Sequence, residues 1–392
     1  MNPAMTKPRW DWTAIAAGVV LSYAVFLAAM FVGHFWLWDV DGTPIANDFV
    51  DVFAAGKLAA AGNAATAYDW TIHRAVEVSV IGHNFSGYYG WHYPPPFLFI
   101  AVALSTLPYF ASFFLWTAGT LAPFAFVVSR IAQKREAMLW ALAFPAALLD
   151  IYVGQNGFFT AALFGAMLLT LKDRPLLAGV FVGLLTYKPQ FGILIPIALL
   201  AGSHWRALAS ATFTAALIGA LSLVAFGPET WAAFFHSIPH TTQVILAGGN
   251  AGWNKLQTVY GFTRWIGASN AMAWGWQIGT AALMALGVAL MWRSRMPFAL
   301  KAAGLCAATL LVTPYAYIYD FPLLAVAIAF LYRHRSFDTR ETAILLFAAG
   351  LIAIFPWADA PVGLAASLLV ASLVSRRART LIQTGDVALQ HA

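Results

Sequence analysis

Side chains that can transfer protons or bind ligands are concentrated in one segment, residues 38–96. This is the only long stretch that interrupts an otherwise hydrophobic sequence, and it ends on the run Trp91-His92-Tyr93-Pro94-Pro95-Pro96. Six of the sixteen acidic residues lie in it: Asp39, Asp41, Asp48, Asp51, Asp69 and Glu77. We interpret the segment as an active-site loop on the outer surface of a polytopic membrane enzyme.

Short turns between the apolar stretches that follow contribute more polar side chains. In chain order these include Asp150, Gln155, Asn156, Lys188, Gln190 and Asp320. Ionisable groups near helix ends in a membrane protein are unfavourable unless they are paired or functional. We therefore expect these turns and the 38–96 loop to form one site at the outer boundary of the membrane.

The composition indicates that these polar segments are held by a membrane-embedded scaffold. Of 392 residues, 61% are hydrophobic and only 10% are charged, against about 25% charged in soluble domains. The net charge of +6 is unevenly distributed along the chain, so it does not indicate nucleic-acid binding. The single cysteine, Cys306, lies in an apolar run, which excludes a disulfide framework and a cysteine-rich metal site.

The apolar runs predict an all-α, polytopic membrane protein that forms one domain over residues 1–392. A helix needs about 20 apolar residues to cross a bilayer, which predicts about 12 spans here. Residues 97–107 are too few to cross, so they predict a re-entrant half-helix. The predicted spans cover residues 13–36, 110–131, 137–150, 157–171, 175–187, 189–203, 206–226, 270–292, 297–313, 317–332, 340–356 and 361–375.

The distribution of basic residues predicts the orientation, because Lys and Arg are in excess in cytoplasmic loops. Lys7 and Arg9 precede the first span, so we expect both termini in the cytoplasm. Of the 22 basic residues, 17 then lie inside and five outside, and those five are Lys57, Arg74, Lys188, Lys255 and Arg264. The 38–96 loop and a second loop, residues 227–269, are predicted to be external or periplasmic.

The order of several short motifs resembles glycosyltransferase family 87. These motifs are Asp48 before a loop helix, an Ala-Gly segment ending at Gly62, Tyr68-Asp69, Tyr93-Pro94-Pro95, Gly154-Gln155-Asn156 and Lys188-Pro189-Gln190. The resemblance extends over roughly residues 45–260 and continues beyond them only in hydropathy. It implies the fold of the GT-C superfamily, whose enzymes transfer sugar from a polyprenyl-phosphate donor outside the cytoplasmic membrane.

The resemblance implies inverting transfer, with a carboxylate of the first external loop as the base that deprotonates the acceptor hydroxyl. Asp48 matches that position, and an aspartate with an ordinary pKa near 3.9 is ionised at neutral pH. The alternative is that Asp48 caps the helix that begins at Phe49, because Asp is a favoured capping residue. Asp51, one turn further on, is expected to be a solvated or hydrogen-bonded neighbour at the sugar or acceptor site.

A lipid phosphate leaving group needs cations or other donors nearby. The candidates are Lys188, Lys255, Arg264 and His92. Each has an alternative role: Lys188 could extend to the membrane interface, Lys255 and Arg264 could attract anionic lipids, and His92 could form an interfacial hydrogen bond.

Candidate ligands for the sugar or acceptor are Tyr93, Gln155, Asn156, Gln190 and Asp320, although the amides could instead satisfy helix ends. Aromatic side chains of the outer loops could stack on sugar rings or form the interfacial belt; they include Trp70, Tyr88, Tyr89, Trp91, Tyr93, Trp253 and Tyr260.

Asp39-Val40-Asp41 has the DxD form that holds metal-bound nucleotide diphosphates in soluble glycosyltransferases. A lipid monophosphate has no pyrophosphate to chelate, so we expect no metal and no cofactor; a divalent cation held by Asp39 and Asp41 is the alternative.

Together with these patterns, the resemblance implies an enzyme that transfers a hexose, mannose in the first instance, from a polyprenyl phosphate to a lipid or glycan acceptor. A pentose such as arabinofuranose is an alternative donor sugar. A transporter or flippase for lipid-linked sugars is the main alternative function, but transporters usually carry ionisable groups near the bilayer midplane and internal repeats. A membrane scaffold would explain the hydropathy and leave the grouped polar residues unexplained.

Overall fold

The apolar stretches fold into α-helices, as the sequence predicts. The computed structural model describes residues 11–87 and 89–384; it is 77% helical and has no strand within those two ranges. The all-α class is therefore confirmed. Lys7, Arg9 and Tyr88 lie outside the described residues.

The helices of the described ranges are numbered in chain order. They are α1 (Trp12–Val32), α2 (Phe49–Ala60), α3 (Trp70–Ile81), α4 (Leu98–Ser105), α5 (Tyr109–Ala132), α6 (Ala137–Ala143), α7 (Pro145–Val153), α8 (Gly157–Thr170), α9 (Pro175–Leu184), α10 (Pro189–Gly192), α11 (Leu194–Ala201), α12 (Trp205–Phe226), α13 (Pro228–Thr241), α14 (Val259–Trp265), α15 (Asn270–Arg293), α16 (Phe298–Val312), α17 (Pro322–His334), α18 (Thr339–Ala353) and α19 (Val362–Gln383). Short 3-10 helices cover Ala64–Tyr68, Pro95–Phe97, Leu185–Tyr187, Trp253–Lys255, Ile318–Asp320 and Phe355–Trp357, and a π-helical turn covers Thr242–Ala247.

Four of these helices are long and apolar enough to cross a membrane: α1, α5, α12 and α15. This supports a membrane protein, but helix length and composition do not support the expected count of 12. Most of the other apolar stretches form shorter helices, whereas α19 has 22 residues but carries Arg376, Arg377 and Arg379. Pro145 divides the predicted 137–150 span into α6 and α7, and Pro189 begins a new helix.

The segment predicted to be re-entrant forms α4, which has eight residues. At about 1.5 Å per residue, such a helix covers less than half of a hydrocarbon core of about 30 Å. It follows the 3-10 turn Pro95–Phe97, and Pro108 precedes α5. The segment is thus too short to span, as the sequence predicts.

The first loop folds against α4 through its helix α2, most of which is buried. Gly56 explains the close approach, since a Cβ atom there would lie 2.0 Å from the carbonyl oxygen of Ala101 in α4. Gly62 follows the end of α2 with a φ of +79°, a left-handed conformation that glycine adopts without strain. The loop is therefore a packed layer.

The second loop, residues 227–269, contains α13, the π-helical turn and α14. It packs on the first loop: the rings of Tyr68 and Phe234 have centroids 5.8 Å apart. The imidazole of His92 also hydrogen-bonds Thr241, with 3.2 Å between Nδ1 and Oγ1. The two loops therefore contact each other, and both contribute residues to the candidate site.

Candidate active site

Asp48 directly precedes α2, but its side chain does not cap the helix. The cap is Asn47, whose Oδ1 accepts a hydrogen bond from the Phe49 amide over 3.0 Å. The capping interpretation of Asp48 is therefore wrong. Its carboxylate is free of the backbone and remains partly accessible.

The surroundings of Asp48 alter its acidity. Removal from bulk water raises the pKa of Asp48 to about 7, and the negative charge of Asp51 contributes to the rise. A hydrogen bond with Gln155 and the positive charge of Lys255 partly oppose it. A carboxyl group with a pKa near the working pH can both accept and release a proton, which suits a general base.

Asp51 lies in a buried cluster with His73 and Glu77 of α3. His73 Nε2 is 3.2 Å from Asp51 Oδ1 and 3.5 Å from Glu77 Oε1, and all three side chains are at most 5% exposed. Burial alone would lower the pKa of His73, but the two adjacent carboxylates of Asp51 and Glu77 outweigh it and raise the pKa to about 9. Asp51 is thus a buried, paired neighbour of His73, so of the two alternatives the solvated side chain is the one that the structure does not show.

Tyr93 connects the first loop to the turn between α7 and α8. Its hydroxyl donates to Gln155 Oε1 over 3.1 Å and accepts from Asn156 Nδ2 over 2.6 Å. Asn156 Oδ1 in turn accepts a hydrogen bond from Lys188 Nζ over 2.7 Å. These buried groups satisfy one another, so the network fixes their side chains.

Lys188 also forms a buried ion pair with Asp320. The other oxygen of Asp320 accepts a hydrogen bond from the Tyr317 amide over 3.0 Å. Lys188 is 4% exposed and its amine contacts Asn156 and Asp320, so it does not extend to the membrane interface. The interpretation of Lys188 as an interfacial residue is therefore wrong.

A cavity of about 260 Å³ lies beside this ion pair. Four parts of the chain line it: residues 92–94, 187–190, 234–245 and 315–320. The lining includes His92, Tyr93, Lys188, Gln190, Tyr317, Tyr319 and Asp320. Asp48 lies outside the lining, but its charge interacts with Tyr317 and Tyr319. The structure thus brings the polar turns together, as the sequence predicts.

A more open groove of about 400 Å³ adjoins this cavity, and Ser237 lines both. Its walls come from the two loops and carry Tyr68, Asp69, Trp70, His236 and His240. The rings of Trp70 and His240 pack edge to face, with centroids 4.6 Å apart. The groove therefore offers aromatic and polar side chains next to the cavity.

Two of the predicted phosphate ligands lie outside the cavity lining. Arg264 donates to the carbonyl oxygens of Ala268 and Ala247 over 2.8 and 3.2 Å, and its guanidinium lies over the Trp253 ring. These contacts hold the second loop together. Lys255 is exposed and affects the site through the charge it places near Asp48.

Asp39 and Asp41 form a turn. Asp39 Oδ1 accepts hydrogen bonds from the amides of Asp41 and Thr43 over 3.0 and 3.1 Å, and Oδ2 accepts one from the Thr43 hydroxyl over 3.0 Å. Neither aspartate belongs to a group of three potential metal ligands in the described part of the chain. The DxD pattern here is explained by turn formation.

His73 and Glu77 were not selected as site residues from the sequence. Their spacing of four residues in a helix places both side chains on one face, and this was the available signal. Their partner Asp51 is on a different helix, so the sequence could not pair them. Tyr187, Tyr317 and Tyr319 also line the cavity; they belong to the polar turns around Lys188 and Asp320 but were not selected individually.

The sequence profile of glycosyltransferase family 87 matches residues 91–314. The chain therefore belongs to this family, and the resemblance seen in its motifs is confirmed. The match begins at residue 91, so it includes Tyr93, Gln155, Asn156 and Lys188 and does not reach Asp48. No curated protein and no solved structure matches the chain significantly.

Proposed function

We propose that this protein transfers a hexose, most simply mannose, from a polyprenyl phosphate to a glycolipid or glycan acceptor. The observation that carries the proposal is a partly accessible carboxyl group, Asp48, with a pKa near 7 beside a cavity that contains a buried lysine. Membership of a glycosyltransferase family supplies the reaction class.

In the proposed reaction, Asp48 accepts the proton of the acceptor hydroxyl. That oxygen forms a bond to the anomeric carbon while the bond from this carbon to the phosphate oxygen breaks. Attack opposite the leaving group inverts the anomeric configuration. Polyprenyl phosphate departs with the bonding electrons, and the proton on Asp48 is later lost to water.

Lys188 is the proposed ligand of the donor phosphate. It lines the cavity, and its ammonium group is held by Asn156 and Asp320. A fixed cation stabilises the negative charge that develops on a leaving phosphate without reorganisation of water. His92 and Gln190 line the same cavity and are proposed as further donors. Lys255 acts on Asp48 through its charge.

The acceptor is proposed to approach along the groove next to the cavity. Aromatic faces and polar side chains such as Trp70, Asp69 and His236 suit a polyhydroxylated ligand. The cavity of about 260 Å³ lies below the range of about 300 to 1,000 Å³ typical of drug-sized ligands. It therefore suits one sugar ring, while the groove accommodates the rest of the acceptor.

We propose that both termini are cytoplasmic and that the site faces the external or periplasmic side of the cytoplasmic membrane. The basic residues of the predicted inner loops support this orientation. A reporter fused after Gly82 should then be external and one fused after Lys134 internal. The reverse pattern would overturn the proposed orientation.

The test of the proposed function is transfer of label from radioactive polyprenyl-phosphate mannose by membranes that contain the protein. We expect product from the wild type and from Asp41→Asn, and a loss of about 10² to 10⁴-fold in Asp48→Asn. Equal transfer by wild type and Asp48→Asn would refute Asp48 as the base. No transfer by any of the proteins would refute this donor.

A further inference from the structure

The cluster of Asp51, His73 and Glu77 is distinct from the groups that the proposed transfer uses. Its three donor atoms lie within 4.8 Å of one another, and all three side chains are buried. Asp51 is in α2, whereas His73 and Glu77 are in α3. We propose that this cluster is a binding site for a divalent metal ion such as Zn²⁺ or Mn²⁺, which fastens α2 to α3.

The distances from the His73 nitrogen to the two carboxylates fit a shared metal ion. Ligand atoms bound at about 2.0 to 2.2 Å in a tetrahedral arrangement lie about 3.3 to 3.6 Å apart. The distances from His73 Nε2 to Asp51 Oδ1 and Glu77 Oε1 are 3.2 and 3.5 Å. Histidine and carboxylate ligands are those that Zn²⁺ and Mn²⁺ accept.

The hydrogen bonding of these atoms gives an independent indication. Asp51 Oδ1, His73 Nε2 and Glu77 Oε1 are all buried and lack a hydrogen bond of good geometry, although they face one another. Buried polar atoms without such a partner are uncommon in proteins. A metal ion at the centre of the three atoms would satisfy all of them at once.

The outer oxygen of Glu77 is already held. Arg74 Nη1 lies 3.4 Å from Glu77 Oε2, so the other carboxylate oxygen, Oε1, faces His73. Such outer contacts orient metal ligands. The competing occupant of the site is a proton on His73, which would give a buried ion network of His73 with Asp51 and Glu77.

Of the three ligands, Asp51 lies three residues after Asp48, in the first turn of α2. A metal ion would fix the position of α2, and with it that of Asp48, by joining it to α3. The role is structural, and the proposed transfer does not depend on it. Failure of the metal proposal would therefore leave the proposed transfer untouched.

The test is metal binding by the full-length protein purified in detergent. The protein is stripped with chelator and dialysed against 1 equivalent and then excess of Zn²⁺ or Mn²⁺, and bound metal is measured by mass spectrometry. We expect about one ion per chain in the wild type and a loss of at least tenfold in affinity in His73→Gln and in Glu77→Gln.

His83→Gln is the matched control, because His83 is an exposed histidine of the same loop and lies 3.8 Å from Asp39. It should bind metal like the wild type. The thermal unfolding midpoint of the wild type should also rise when the metal is added, since a ligand that binds only the folded state stabilises it. This second measurement needs no variant and remains informative if His73→Gln does not fold.

Three results would overturn the proposal. They are absence of bound metal in the wild type, equal binding by wild type and His73→Gln, and loss of binding in His83→Gln alone. The first would assign the site to a protonated His73, and the last would assign the metal to the turn at Asp39.

Discussion

Lys188 and Asp320 form a buried ion pair although 132 positions separate them in the sequence. The lysine proposed to bind the donor phosphate therefore already has a carboxylate partner. The phosphate must share this lysine with Asp320 or displace it. The pair also joins the turn before α10 to the turn before α17, so it contributes to the shape of the cavity.

Substitution of Lys188 by Met should strongly destabilise the protein. Removing one partner of a buried ion pair leaves the other charge uncompensated, which costs about 3 to 5 kcal/mol. The free energy of unfolding in detergent measures the loss. Adding Asp320→Asn to Lys188→Met should restore part of the stability, because the unpaired charge is then absent. Strictly additive losses would contradict this coupling.

The transfer reaction should require the deprotonated form of Asp48. Because the pKa of Asp48 is raised to about 7, kcat/KM should be half-maximal near that pH and fall about tenfold per unit below it. The measurement is transfer between pH 5 and 9 in detergent or membranes. An acid limb near pH 4, as for an ordinary aspartate, would contradict the raised pKa.

Lys255→Gln should move this acid limb to higher pH. The positive charge of Lys255 lowers the pKa of Asp48, so its removal raises that pKa and reduces the rate at neutral pH. The loss should disappear at pH 9, where Asp48 is ionised in both proteins. Lys57→Gln on α2 is the matched control, as its ammonium group lies over the Phe53 ring, and it should leave the limb unchanged.

Tyr93→Phe should destabilise the site without changing its shape. The substitution removes the hydroxyl that accepts from Asn156 and donates to Gln155. A buried polar group left without its partner costs about 1 to 3 kcal/mol. The unfolding free energy should fall by that amount, and transfer should fall with it because Asn156 also holds Lys188. Unchanged stability would show that water replaces the hydroxyl.

Gly157→Ala should prevent correct closure of the turn at Asp320. A Cβ atom at Gly157 would lie 1.7 Å from the Tyr319 carbonyl oxygen, so α8 and the 318–320 turn would have to separate. We expect a lower yield of folded protein and a lower unfolding midpoint. Gly279→Ala in α15 is the control, since no atom lies within 4 Å of its Cβ position, and it should be neutral or slightly stabilising.

Hydropathy and motif order were sufficient to predict the class of this protein. Apolar runs fix the all-α, membrane-embedded character because apolar surface must be withdrawn from water. The order of Tyr93, Gln155-Asn156 and Lys188 was sufficient to indicate the family. The number of spans did not follow in this way, because several predicted stretches form helices too short to cross a membrane, as where Pro145 divides the 137–150 stretch into α6 and α7.

The tertiary structure decided which polar residues act together. Asp51 with His73, and Lys188 with Asp320, are pairs between elements that are distant in the sequence, and a single sequence carries no signal for such contacts. The capping alternative for Asp48 could also be removed only there: the sequence allows Asp48 to cap α2, but in the structure the Phe49 amide donates to Asn47 and the Asp48 side chain makes no cap hydrogen bond. Hydropathy and motif order along the chain were thus enough to indicate the class of protein, whereas the side-chain pairs of the candidate site follow only from packing between elements.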